Sequence, residues 1–342
     1  MRNFNWRVIN CQDLKKSASL HPQPRQNFDI ASAISRDTGL AFIHVFSGAA
    51  IFPQTPSPIQ TALLTTIAMI GFAANSLLCR VALASHAIDP ATFTTVRVVS
   101  ASVLLAIAIT MSGKRLPRLT ATNWRPMLAL LAYLLLFSFA YTQLGAGTGA
   151  LLMFGAVQLT MFAVALWHGE RLPALSWAAL FVAVAGLIYL MLPGVTAPDT
   201  LSGLMMAGSG VAWGTFTLLA RGFPDPIEAN ISNFVACLPI VALVNVAALT
   251  QFNVTAIGVG YAVLSGALAS GVGYVAWYAA LRGLARTQAA IVQLVAPILA
   301  AVGGTLFLCE PLTSRLLVSC IAVLGGVAVV VLQRAPSKTM TG

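Results

Sequence analysis

The stretch Ala165-Leu166-Trp167-His168-Gly169-Glu170-Arg171-Leu172 returns in outline 140 positions later as Thr305-Leu306-Phe307-Leu308-Cys309-Glu310-Pro311-Leu312. In each copy an apolar run ends at a lone Glu, Leu follows two positions on, and a Gly (Gly186, Gly326) lies sixteen positions after the Glu inside a second apolar run. Identity alone is thin: between 149–192 and 289–332 only eight of 44 positions match, as an Ala/Leu/Val-rich chain produces by chance. The Glu pair carries the weight, because the chain holds only nine acidic residues in 342.

Outward from this repeat the chain is apolar throughout, 58% hydrophobic and 8% charged with a mean hydropathy of +0.86. A soluble domain carries about a quarter of its residues as charges, so the sequence reads as an integral membrane protein. Crossing roughly 30 Å of hydrocarbon takes about 20 residues as helix. Ten such runs can be cut, at 60–84, 91–111, 125–145, 147–167, 175–192, 201–220, 228–250, 256–280, 287–308 and 314–332. A transmembrane barrel would need short strands alternating apolar and polar, and that alternation is absent.

The net charge of +10 sorts by loop. With the N-terminus inside, Lys114, Arg115, Arg118, Arg125, Arg171, Arg221, Arg282, Arg286, Arg334 and Lys338 fall on the cytoplasmic side, together with the basic residues before position 60. Arg315 alone falls in an outside loop, while Arg80 and Arg97 lie in or at the end of helices. This is the positive-inside asymmetry; it gives an N-in/C-in chain and makes the basic excess a topology determinant rather than a nucleic-acid footprint. The five cysteines form no metal or redox spacing and read as small apolar fillers.

Residues 1–58 differ from the rest, mixing Asn, Gln, Ser, Arg and Pro. They read as a poorly ordered extension, or as the product of a start codon placed too far upstream. Asp89-Pro90 follows the first span and Asp225-Pro226 the sixth, each supplying an N-cap Asp and an N1 Pro to the next helix. The domains therefore run 59–193 and 194–334, each with five helices, followed by a short tail at 335–342. Five is odd, so the second copy must enter the membrane upside down relative to the first, the inverted repeat of many secondary transporters.

On these residues the chain resembles the drug/metabolite transporter superfamily, specifically the EamA-like ten-helix transporters. The resemblance covers about 60–334 and rests on Gly273-Tyr274-Val275-Ala276-Trp277-Tyr278-Ala279-Ala280-Leu281-Arg282, on Ala289-Ala290 and Pro297, and on Glu310-Pro311-Leu312-Thr313. In the first half Arg97, Thr148-Gly149-Ala150 and Glu170-Arg171-Leu172 are the counterparts. Val157 stands where the family often has proline, and Ala73-Ala74 where it often has the Trp-Gly that Trp213-Gly214 keeps. The resemblance implies a multi-pass carrier of the bacterial inner membrane that moves small metabolites or drugs by alternating access, more often outward than inward.

Arg97 is the one basic residue well inside a span, about 10 Å below the helix start at 1.5 Å per residue. A charge at the centre of a span costs about 2.5–3.5 kcal/mol on insertion scales, so the functional reading is pairing with an anionic group of the substrate; the structural alternative is snorkelling or bonding to nearby polar groups. Asn75, Gln143, Gln158, Trp213, Asn233, Tyr274, Trp277, Tyr278 and Gln293 are the further pathway candidates. Gln158 and Gln293 belong to repeat-partner helices and could meet near the pseudo-twofold axis. Pro297 is expected to kink the ninth helix as a gate. Glu170 and Glu310 sit at helix ends and read as corners that cap or tether, since a proton relay would need a carboxylate within the membrane.

No catalytic set, metal ligands or cofactor motif is visible, so an enzyme is the least favoured reading. A channel and a non-transporting scaffold remain alternatives. The expected partners are a small-molecule substrate and the lipid bilayer, with a second copy in a homodimer as an option and no nucleic acid.

Overall fold

The computed structural model of the chain describes residues 56–111, 115–116, 124–169, 173–194, 197–220, 226–284 and 286–333. The extension through position 55, Glu170, Asp225 and the tail after 333 lie outside the described residues. The described chain is helical: α1 (Pro58–Ala84), α2 (Pro90–Met111), α3 (Trp124–Ala140), α4 (Ala146–Trp167), α5 (Ala174–Met191), α6 (Thr200–Ala220), α7 (Pro226–Ala247), α8 (Ala256–Leu281), α9 (Arg286–Gln293), α10 (Val295–Leu308) and α11 (Ser314–Gln333). No strand forms among the described residues, where Ile88 and Val254 make an isolated antiparallel bridge.

Local chemistry sets the helix starts. Ser57 and Gln60 form a reciprocal capping box ahead of Pro58. The Asp89 carboxylate accepts from the Thr92 amide at 2.8 Å, the cap expected from the Asp-Pro pair. Asp199 accepts from the Ser202 amide at 2.8 Å, and those hydrogen bonds hold its carboxyl below the usual carboxylate range. Thr255 caps α8 through the Gly258 amide.

Among the described residues eight helical stretches are long and apolar enough to cross a membrane: α1, α2, α4, α5, α8, α11, Glu228–Ala247 within α7, and Ile291–Leu308 across α9 and α10. Large apolar side chains point outward along them, with Phe181, Phe307 and Ile321 each at least 70% exposed. In water such a surface would aggregate; against lipid tails it carries no such penalty, so helix association falls to close packing and polar contacts.

Packing interleaves the two halves. The helix α5 lies against α11, α2 against α7 and α4 against α10. Both α3 and α4 pack on α6, while α8 and α10 pack on α1. A polar clamp supports the α2–α7 contact: Thr92 Oγ1 donates to Asn245 Oδ1, and Asn245 Nδ2 donates to Thr95 Oγ1, each at 3.2 Å.

Two helices are irregular. Residues Leu264–Val272 in α8 wind as a π-helix. The ninth run breaks at Leu294, three residues before Pro297: proline has no N–H for the Gln293 carbonyl four residues back, and the Leu294 amide turns to Ile291 instead, at 3.0 Å. In the first half α4 passes through Val157 without interruption.

Candidate functional site

Arg97 stands on the second turn of α2 and is fully buried. It does not snorkel. Its Nε donates to Ser270 Oγ at 3.1 Å and its Nη2 to the Tyr133 hydroxyl at 2.8 Å, while Nη1 has no partner. The guanidinium carbon lies 5.3 Å from the Tyr133 ring centroid and 5.2 Å from that of Phe137, within cation–π range. Among the described residues no carboxylate pairs with it; the ion pair found there joins Arg80 to Glu310.

Tyr133 is the hub of the site. Besides Arg97, Asn75 Nδ2 donates to its hydroxyl at 3.2 Å, and the Tyr274 hydroxyl lies 3.4 Å away. Asn75 Oδ1 in turn accepts from Ser265 Oγ at 2.7 Å. Helices α1, α2, α3 and α8 therefore meet in one hydrogen-bonded set. A hydroxyl in an otherwise apolar helix reads from sequence as packing, and its partners come from three other helices, so the sequence reading passed Tyr133 over.

The π-helical turn explains how α8 reaches this set. It adds a residue to the turn, and such insertions gather at functional sites. Here it points Ser265 at Asn75 and Ser270 at Arg97. Close approach depends on Gly266, where a Cβ would collide with the Ser100 hydroxyl and the Arg97 carbonyl.

Aromatic rings wall the site. Trp213 packs tilted against Tyr133 at 4.9 Å and Tyr274 at 4.8 Å between ring centroids, and Phe72 lies 6.1 Å from Tyr274 and 5.9 Å from Trp277. Phe72, Asn75, Tyr133, Phe137, Trp213 and Tyr274 line a void of about 10 Å³, the space of a single water molecule. In this conformation the centre is shut.

The structure thus brings Arg97, Asn75, Trp213 and Tyr274 together around Tyr133, with Trp277 packed against Phe72. Asn233 is buried on α7 without a hydrogen bond to the set, and Tyr278, one turn past Tyr274 on α8, is half-buried against the core without joining the set. Gln158 and Gln293 are both buried, but Gln158 Nε2 has no partner, so the two amides do not join through it. Gln143 is exposed in the turn between α3 and α4.

That turn borders a second, larger pocket of about 220 Å³, whose lining includes Arg80, Gln143, Thr148, Thr305, Glu310 and Leu316. The Glu310 amide closes its own corner on the Gly304 carbonyl, but its carboxylate leaves that corner. It reaches across to Arg80 on α1 at 3.0 Å and to the Ala146 amide at 2.7 Å. Sequence gave no hint of this pair, whose members are 230 positions apart.

Residues 200–332 match the model of the EamA-like transporter family. An uncharacterized protein of Pseudomonas aeruginosa is 47% identical over 276 residues, 80% of this chain and 96% of the relative. A probable terminal-alkyne amino-acid exporter of Streptantibioticus cattleyicolor is 31% identical over 217 residues, 59% of this chain and 71% of the exporter. A protein of known crystal structure, 18% identical, superposes with a TM-score of 0.58 over 80% of this chain and 97% of its own, a likeness of fold alone. The chain is a multi-pass membrane transporter and belongs to the EamA-like family of the drug/metabolite transporter superfamily.

Proposed function

We propose that the protein exports small metabolites bearing an anionic group across the bacterial inner membrane, and that Arg97 receives that group. The observation that carries the reading is the fully buried guanidinium held by hydroxyls and aromatic faces with no counter-ion among the described residues and one nitrogen unpartnered. A cation left uncompensated in a low-dielectric setting is costly and marks a functional position. Hydroxyls orient it without neutralising it, so its charge stays available to an arriving anion. The aromatic wall supplies a partner surface for an apolar body on the same cargo. The exporter relative supports amino-acid-like compounds as the first class to try.

In this reading the chain crosses the membrane ten times, N-in and C-in, as two inverted five-helix repeats. The packing supports it: exchanging first-half helices for their second-half counterparts turns the α3–α6 contact into the α8–α1 contact, and the α4–α6 contact into the α10–α1 contact. The pairs α2–α7, α4–α10 and α5–α11 map onto themselves, as contacts on a twofold axis must. Alternating access then needs one end shut while the other opens, and the break at Leu294 ahead of Pro297 is a point about which the ninth span can bend.

The test is a growth and export screen. A deletion strain and an overexpressing strain are challenged with amino acids, their analogues and other small acids, and outward flux is then measured from preloaded proteoliposomes. Saturable efflux with counterflow supports the carrier reading. Flux at conductance rates would favour a channel, and no flux for any acid would sink the cargo assignment.

A further inference from the structure

Arg80 lies one turn beyond Ser76 on α1, and its guanidinium binds three groups. Nε donates to Glu310 Oε1 at 3.0 Å, and Nη1 donates to the carbonyls of Tyr141 at 3.3 Å and Thr142 at 3.2 Å. The other Glu310 oxygen accepts from the Ala146 amide at 2.7 Å. The end of α1 and the start of α4 thus converge on one second-half carboxylate, and the α3–α4 turn is joined to it through Arg80.

Backbone geometry aims that carboxylate. Cys309 ends α10 in the left-handed region, at φ 52° and ψ 29°, which a non-glycine residue adopts only at a cost. The Glu310 amide then donates to the Gly304 carbonyl at 3.1 Å. Gly304 leaves room for the carboxylate, since a Cβ there would sit 2.8 Å from Oε2.

The pair lies between the two cavities. On one side is the pocket of about 220 Å³ that Arg80 and Glu310 help to line. On the other, the fully buried Tyr141 meets Phe137 edge to face at 4.7 Å, and the Phe137 ring lies under Arg97. Ser76, 1% exposed, lines the central void.

We propose that Arg80 and Glu310 form a latch that holds this end of the bundle shut and releases when cargo passes between the Arg97 site and the larger pocket. The proposal rests on the transporter reading above, which places this end at the outer face. The pair's strength suits the task. Its side chains keep 22% and 19% of their surface exposed, so water in the pocket can take over their solvation as they part. A fully buried pair would resist opening far more, because each separated charge would be left without water.

The experiment needs no knowledge of the cargo. In the full chain with its five cysteines replaced by serine, Ser76→Cys and Gln143→Cys are introduced separately. Intact cells are then exposed to a membrane-impermeant maleimide. With the native pair, the cysteine at 143 reacts rapidly and the one at 76 slowly. In Arg80→Gln or Glu310→Gln the rate at 76 rises about tenfold, as loss of a charge-assisted hydrogen bond implies, while the rate at 143 is unchanged; Glu310→Asp, which keeps the charge but shortens its reach, gives an intermediate rate.

An unchanged rate at 76 in both neutral variants overturns the latch. Should those variants fail to reach the membrane, Glu310→Asp decides alone, an unaltered rate counting against the proposal. Labelling at 143 only in inverted vesicles would overturn the orientation instead, and the comparison at 76 is then read in those vesicles.

Discussion

Arg80 and Arg97 occupy consecutive helices, and the protein treats their charges in opposite ways. Arg80 is partly exposed and finds a carboxylate, two carbonyls and the edge of a water-accessible pocket. Arg97 is fully enclosed and finds hydroxyls and aromatic faces, with one nitrogen unsatisfied. A charge that already has its counter-ion can hold two segments together. On the reading proposed above, a buried charge that lacks one is an incomplete site whose missing group is the anion of the cargo. The difference separates a structural cation from a recognition cation more sharply than their shared residue type suggests.

The largest effect should come from breaking the recognition side. Arg97→Gln removes a buried charge from contact with the cargo anion, for which losses of about 2–5 kcal/mol are typical, so efflux at matched expression should fall about 100-fold. Arg80→Gln should leave efflux within about tenfold of the native rate. Equal losses in the two variants would erase the distinction. Next in size is Gly266→Val, which forces α8 away from α2 at the Arg97 carbonyl. Overpacking of this kind costs about 1–3 kcal/mol and should appear as reduced thermal stability in detergent. Tyr133→Phe removes the acceptor for Arg97 Nη2 and Asn75 Nδ2. Leaving buried donors unpaired costs about 1–3 kcal/mol; slower efflux with a near-native melting temperature would show that the hub serves recognition.

Smaller effects test the frame around the two arginines. Asn245→Ala cuts the clamp between α2 and α7, where interhelical side-chain bonds average about 0.6 kcal/mol; a small drop in melting temperature with normal efflux is the expected result. Glu170→Gln lies 140 positions before Glu310. If the halves are inverted copies, it should leave labelling of Ser76→Cys from outside unaltered.

How much of this was legible in the sequence follows from the range of each interaction. The eight apolar helices and the Asp89-Pro90 start rest on local hydropathy and capping, so they could be read one helix at a time. The break near Pro297 was legible because proline removes a specific backbone donor. Tyr133 was not, since nothing in Leu-Ala-Tyr-Leu distinguishes a packing ring from a hub whose partners lie on three other helices. The π-helical turn was hidden because Leu264–Val272, with its two serines and two glycines, carries no signal that fixes the number of residues per turn. Glu310 was recognised as a repeat corner, but its partners lie in the other half, and pairing across halves leaves no trace at the spacing of a single helix.

The central claim is that Arg97 reads the anionic group of the cargo. The most direct measurement is a comparison of efflux for the best-transported acid of the screen and for its uncharged amide, in proteoliposomes of the native chain and of Arg97→Gln. The account predicts that the native protein strongly prefers the acid and that the preference collapses in the variant. An acid-over-amide preference that survives intact in Arg97→Gln would contradict it.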